Sequence, residues 1–267
     1  MTYLTNIADL LWQAEQSSTP CAPVRELFET EDPLSHMSAA YEVQRINIDR
    51  QIAEGRRVVG RKIGLTSIAV QRQLGVDSPD FGTLLDCMSI CDGEEIQFGR
   101  LLQPKVEAEI ALVIERELNH EKHTVADIIG ATAYALASIE VVASRIAGWN
   151  IRLSDTIADN ASSGLFVLGT QPVSLSKLDL AGVRMELSSG DSLVSQGQGS
   201  ACLGNPLHAA CWLADVMAKA GTPLQAGDVI LTGALGAMAP VSAGTTYTAR
   251  IEGFAPVRAI FSAEQNR

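Results

Sequence analysis

Near the N-terminus apolar positions recur at the helical period. Ile7, Leu10, Leu11 and Ala14 form one stripe, which predicts an amphipathic helix over the opening residues. A second helix is expected to open at Ser35 and close near Gly55, after a proline-containing connection across residues 20–33. From Val58 the period changes. The runs VVGRKIGL, VEAEIALVI, SIEVVAS, GLFVLG, VRMELSS, VILTGAL, TYTARIEG and VRAIFS each read as a β-strand. Two helices interrupt them. One starts at Thr124 with Asp127 in capping position, and the other runs from Asn205 through PLHAACWLADVMAKA to a stop at Gly221. Strands outnumber helices and do not alternate with them, so the expected class is α+β, with a mixed or antiparallel sheet. The change of period divides the chain into a helical segment, residues 1–55, and a main domain, residues 56–267.

Composition narrows the function classes. Of 267 residues, 20 are Lys or Arg and 31 are Asp or Glu, a net charge of −11 that argues against binding a nucleic-acid backbone. Apolar residues make up 46% and charged ones only 19%, which describes a folded chain with surface to spare for subunit contacts. Cys21, Cys87, Cys91, Cys202 and Cys211 show no C-x-x-C spacing and are too few for a secreted disulfide scaffold, so a cytoplasmic location is expected. The first basic residue is Arg25, so the basic region of a signal peptide is missing. The uncharged stretch 229–249 is broken by Gly233, Gly236, Pro240 and Gly244 and reads as strand and turn, not as a membrane span. There is no P-loop and no G-x-S-x-G elbow, and Gly197, Gly199 and Gly204 miss the dinucleotide spacing, so no nucleotide cofactor is expected. The four histidines supply no zinc motif: His120 and His123 read as solvated loop residues and His208 as a structural residue on its helix.

The acidic residues are more informative. Strand alternation in KVEAEIALVIE puts Lys105, Glu107, Glu109, Ala111 and Val113 on one face. An E-x-E pair can simply face solvent. Here the same face continues into Ala111 and Val113, so two like charges about 7 Å apart at Cα stand at the edge of a buried surface, where a cation would relieve them. Glu140 is the only charged residue between Ile128 and Ser144, and a buried glutamate calls for a partner, either a core Lys or Arg or a metal. Three carboxylates without Cys or His would select a hard cation, Mg²⁺ or Mn²⁺. Lys62 shares a strand face with Gly60 and Gly64, which leaves room for close approach, although an edge-strand lysine has the same pattern. Asp77 and Asp80 flank Pro79 in a stretch that by itself says turn, and Asp159, Asn160, Ser162 and Ser163 before GLFVLG can be strand-entry turn chemistry.

Taken in order, VVGRKIGLTS, LGVDSPDFGTL, LLQPKVEAEIALVIER, IEVVASRIAGWNI, DTIADNASSGLFVLG and GNPLHAACWLA resemble the 2-keto-4-pentenoate hydratase family, part of the fumarylacetoacetate-hydrolase-like superfamily. The resemblance spans nearly the whole chain and is weakest across residues 1–35. It implies a mixed β-sheet rolled on itself, a divalent metal held by Glu107, Glu109 and Glu140, and a substrate pocket containing Lys62, Asp80 and Ser162. It further implies homo-oligomeric assembly and leaves room for a complex with enzymes of the same pathway. The implied reaction adds water to 2-hydroxypenta-2,4-dienoate, giving 4-hydroxy-2-oxopentanoate in aromatic meta-cleavage catabolism. The sister activity, decarboxylation of 2-oxo-3-hexenedioate, shares the metal ligands but looks apolar where P-D-F-G places Asp80. Hydrolases of the superfamily use a histidine-containing pair that has no counterpart here, which disfavours carbon–carbon hydrolysis. A catalytically silent assembly subunit is the reading of another class, and the presence of all three glutamates and Lys62 weighs against it.

Overall fold

The computed structural model describes residues 2–29, 32–67, 71 and 78–263. Helix α1 (Tyr3–Gln16) is capped by Thr2, whose hydroxyl accepts the Thr5 N–H. It buries Ile7, Ala8, Leu11 and Ala14, whereas Leu10 is 41% exposed. The buried arc centres near Leu11 and takes in Ala8 instead. Helix α2 (Pro33–Ala53) opens earlier than Ser35 suggests, because Asp32 is the cap and its carboxylate accepts the Ser35 N–H at 2.8 Å. The two helices form a small core of their own with Val24, Phe28, Ile146 and Ile157.

Further helices among the described residues are α3 (Val125–Ala131), α4 (Leu153–Ala158) and α5 (Pro206–Lys219). Thr124 and Asp127 form the expected capping box on α3, and Asn205 caps α5. The strands are β1 (Val58–Gly64), β2 (Asp80–Leu85), β3 (Ser89–Cys91), β4 (Glu95–Ile96), β5 (Lys105–Ile114), β6 (Thr132–Val142), β7 (Leu165–Leu168), β8 (Arg184–Ser189), β9 (Ser192–Gln198), β10 (Val229–Leu231), β11 (Ala239–Pro240), β12 (Thr246–Ile251) and β13 (Val257–Phe261). They make one mixed sheet in the order β2-β1-β10-β5-β6-β7-β3, with β11 also on β5, and a second in the order β4-β13-β12-β8-β9. Val106, Ala108, Ile110 and Leu112 of the first sheet share one core with Met185, Leu187, Ala249, Ile251 and Ala259 of the second and with Leu213 and Met217 of α5. This is the expected α+β class, a mixed sheet rolled around its own core.

Three local expectations change. The P-D-F-G stretch is not only a turn: Asp80 is the first residue of β2, while Asp77 lies outside the described residues. The DTIADN stretch contains the end of α4 before its turn. His123 is buried rather than solvated, with Nδ1 2.9 Å from Asp215 Oδ1 and Nε2 accepting the His120 N–H, while His120 itself is exposed. All five cysteines are free, and no helix among the described residues is long and apolar enough to cross a membrane.

Candidate metal and substrate site

Strands β5 and β6 pair antiparallel along almost their whole length, and this register builds the site. Glu107 stands directly across from Glu140, and Glu109 from Ser138. Strand alternation then puts all three carboxylates on one face, with one oxygen from each within 4.8 Å of the others. Ala111, Leu136, Phe166 and Leu231 form an apolar patch on the same sheet, so the solvent-facing reading of E-x-E does not hold. Glu109 and Glu140 are each only 1% exposed.

Lys62 arrives from two strands away. β10 lies between β1 and β5, with Leu231 opposite Lys62 on one side and Ala111 on the other. β1 is therefore an inner strand, and the edge-lysine reading fails. Lys62 Nζ is 3.1 Å from Glu140 Oε1, so the core cation anticipated as one partner for Glu140 is this same lysine. The glycines beside it are filled by protein. A Cβ on Gly60 would meet Val229 O at 1.9 Å, and one on Gly64 would meet Asp80 Oδ1 at 2.1 Å. What Gly64 admits is the Asp80 carboxyl, which comes across from β2.

Like and unlike charges at this density shift one another. Burial pushes the Glu107 carboxyl up to about 7, with Glu140 adding to it and Lys62 opposing. Glu109 is raised well above the usual range by burial, then by Glu140 and Glu107. Burial also raises Glu140, against the pull of Lys62. Asp80 is pushed up to about 6 by burial, while Lys62 and the Thr156 hydroxyl draw it down. Burial alone would lower the Lys62 ammonium, but Glu140, Glu107, Asp80 and Glu109 together raise it.

Two oxygens here have no hydrogen-bond partner among the described residues: Glu109 Oε1 and Glu140 Oε2. Buried polar atoms are ordinarily paired, so these two are aimed at something of opposite charge. The donor set is all carboxylate oxygen, which fits a hard divalent cation. Glu109 is oriented from behind by the Gly233 N–H, 2.9 Å from Oε2. Gly233 has φ +110°, and a Cβ there would lie 2.3 Å from Thr66 Oγ1, so only glycine serves. A cavity of about 450 Å³ opens onto Glu107 between residues 63–67 and 234–238, and Glu107 is the only charged group among its described lining residues.

Ser162 is brought near by a different route. It ends the turn Asn160–Ser162, is 3% exposed, and its Oγ has no partner; no hydrogen bond among the described residues ties it to the carboxylates. Its turn lies against β2 at Gly82, the residue paired with Lys62. Sequence reasoning missed three contributors. Gly233 carries only the signal of a glycine after a strand, and Thr156 beside Asp80 carries none. Tyr41 of α2 stacks on Phe81 at 4.4 Å, and its hydroxyl accepts the Phe81 N–H at 3.4 Å.

The model of the fumarylacetoacetate (FAA) hydrolase C-terminal family matches residues 78–261. A 2-keto-4-pentenoate hydratase of Burkholderia vietnamiensis is 56% identical over 259 residues, 97% of each chain. The chain belongs to the 2-keto-4-pentenoate hydratase family. A second hydratase of this family, from Dechloromonas aromatica, is 56% identical over 96% of each chain. Among solved structures, the 4-oxalocrotonate decarboxylase of Pseudomonas putida G7, complexed with magnesium and adipate, is 34% identical and superposes with a TM-score of 0.91 over 97% of both chains. Hydratases and decarboxylase thus share one scaffold, and the relatives at 56% identity are hydratases while the decarboxylase stands at 34%.

Proposed function

We propose that this protein is a metal-dependent hydratase that adds water to 2-hydroxypenta-2,4-dienoate, giving 4-hydroxy-2-oxopentanoate, in meta-cleavage catabolism. The observation that carries the proposal is Asp80, a buried carboxyl pushed up to about 6 beside three clustered glutamates and Lys62. Glu107, Glu109 and Glu140 are the residues that would hold the cation, Mg²⁺ or Mn²⁺. When bound, such a cation supplies Lewis-acid character against charge developing on a 2-oxo acid.

The chain's own groups divide the remaining work. Three carboxylates and a divalent ion sum to about −1, so the Lys62 ammonium offsets repulsion toward an anionic substrate. The dienol must take a proton at C5 to become electrophilic at C4, and water adding at C4 must lose one. A carboxyl titrating near 6 can serve in either state around neutral pH, which gives Asp80 the proton transfers. The Ser162 hydroxyl is a neutral donor or acceptor for a substrate oxygen. The cavity encloses the hydrocarbon end against Leu65, Ala237 and Met238.

The close scaffold match to 4-oxalocrotonate decarboxylase favours 2-oxo-3-hexenedioate decarboxylation as the second reading. Asp80 weighs against it, because an anion there opposes a second substrate carboxylate, and the described cavity lining offers no cation to receive one. The proposal includes a reducing cytoplasmic setting, supported by five free thiols, and a homo-oligomer, supported by exposed Leu34, Ile129 and Leu193, with association with pathway enzymes left to the same surfaces. It also treats residues 1–55 as a helical segment docked on a catalytic domain of residues 56–267. The deciding experiment gives the purified protein each substrate, with and without Mg²⁺. Metal-dependent formation of 4-hydroxy-2-oxopentanoate is expected, and faster CO₂ release from the hexenedioate would overturn the hydratase assignment.

A further inference from the structure

Asn160, Ala161 and Ser162 are consecutive non-glycine residues with φ of +53°, +51° and +52°. A left-handed residue puts its Cβ close to the following carbonyl oxygen, so even single examples are uncommon outside glycine, and three in succession need restraint from outside. The restraints are visible. The Asn160 side chain pairs with the backbone of Thr83 in both directions: its Oδ1 accepts the Thr83 N–H at 2.7 Å and its Nδ2 donates to Thr83 O at 2.9 Å. The buried Arg145 grips both ends of the turn, donating from Nη1 to Ser163 O at 2.8 Å and from Nη2 to Asp159 O, while its Nε pairs with the Asp159 carboxylate. Ser163 N–H and Oγ both donate to Asn160 O. Gly82 lets β2 lie close: a Cβ there would be 2.4 Å from Asn160 O.

All of this restraint surrounds one group that is itself unused. Ser162 Oγ is buried and has no hydrogen-bond partner, although its own backbone carbonyl is engaged by the Ala143 N–H. The polar groups that flank it in the turn are paired and the hydroxyl is not, which leaves it available to an incoming ligand oxygen. We propose that Asn160 and Arg145 are positioning residues: they hold this left-handed turn so that the Ser162 hydroxyl is presented, already desolvated and oriented, to an oxygen of the bound 2-oxo acid. The proposal rests on the reading of Ser162 as a pocket residue. A hydroxyl fixed in advance needs no reorganisation during reaction, so the effect belongs mainly in kcat.

A double-mutant cycle on hydration of the dienoate in Mg²⁺ tests this. Ser162→Ala and Asn160→Ala should each lower kcat/KM roughly 10–100-fold, the scale of one well-placed hydrogen bond to a charged group. The double variant should be no worse than Ser162→Ala alone, because a clamp has nothing to position once the hydroxyl is gone. Asn160→Gly should recover part of the Asn160→Ala loss, since glycine takes positive φ without strain. If Asn160→Ala does not fold, Asn160→Gly and Asn160→Asp carry the cycle. Equal losses from the Asn160 change with and without Ser162 would make the clamp merely structural and overturn the proposal while leaving Ser162 in the pocket. Full activity of Ser162→Ala would overturn both. If the wild-type protein turns over no dienoate, the hydratase reading falls, and the cycle is read on kcat for CO₂ release from 2-oxo-3-hexenedioate in Mg²⁺, where the same non-additivity is expected and additivity overturns the clamp.

Discussion

The Asp80 carboxyl fills the space that Gly64 leaves on the strand face of Lys62, and substitutions at Lys62 and Asp80 should separate binding from chemistry. Lys62→Met keeps length and removes charge, so kcat/KM should fall while Mg²⁺ affinity holds or rises; unchanged kinetics would reduce the Lys62–Glu140 pair to a structural contact. Asp80→Asn should lose most hydration without unfolding, checked by steady-state assay beside a thermal melt. The glutamates give a pH signature. In the metal-free protein Glu107 and Asp80 titrate near 7 and 6, above their values in an unfolded chain of about 4. The native state therefore keeps protons that the unfolded chain has released, and the cluster's contribution to stability is complete below about pH 4 and lost as pH rises through 6 to 7. A bound divalent ion needs the ionised forms, so the Tm gain from Mg²⁺ should widen between pH 5 and 8, and a gain independent of pH would count against these ligands. At this scale Glu107, Glu109 and Glu140 were legible, two by strand alternation and one as a lone charge in an apolar run. The Lys62–Glu140 pair was not, because it crosses β10 and β5 and depends on the register of four strands.

At the scale of elements, the β5–β6 pair carries both the core and the site on opposite faces. Ile110 and Ile139 are fully buried on the core face while Glu109 and Glu140 occupy the other. Ile110→Ala should cost about 2–5 kcal/mol in denaturant unfolding, by loss of contact and an incompletely closed cavity. Gly233→Ala should act from the site face: it displaces Thr66 and turns the N–H away from Glu109, so weaker Mg²⁺ binding in calorimetry is expected, and unaltered affinity would remove that N–H from the ligand's support. The long strands and the capped helices α3 and α5 announce themselves because their periodicity and caps are local. β3, β4 and β11 are two or three residues long and exist through partners far away in sequence, and β9, at the edge of its sheet, has little apolar alternation to read.

For the whole molecule, the family match over residues 78–261 contains the three glutamates, Asp80 and Ser162 but neither Lys62 nor α2. Composition and the ordered motifs were enough to reach the class and the scaffold. They did not reveal that α2 leans on β2, since that contact is set by how the two cores meet. Gln44 of α2 donates to Phe81 O at 3.1 Å and to Ile157 O at 2.9 Å, next to the stacked Tyr41 and Phe81. The turn joining α2 to β1, residues 54–57, is exposed and reverses at Gly55 with φ +92°, and it offers Arg56 and Arg57 in succession. Trypsin should therefore nick the native protein at this point before it reaches the sheets. The two pieces would stay together through the apolar contacts of α1 and α2 and the grip of Gln44, migrating as one species in native gel filtration and as two under denaturing electrophoresis. Catalysis by the nicked protein then becomes a bimolecular property, retained at high concentration and fading on dilution as the helical fragment leaves and Phe81, the neighbour of Asp80, loses its support.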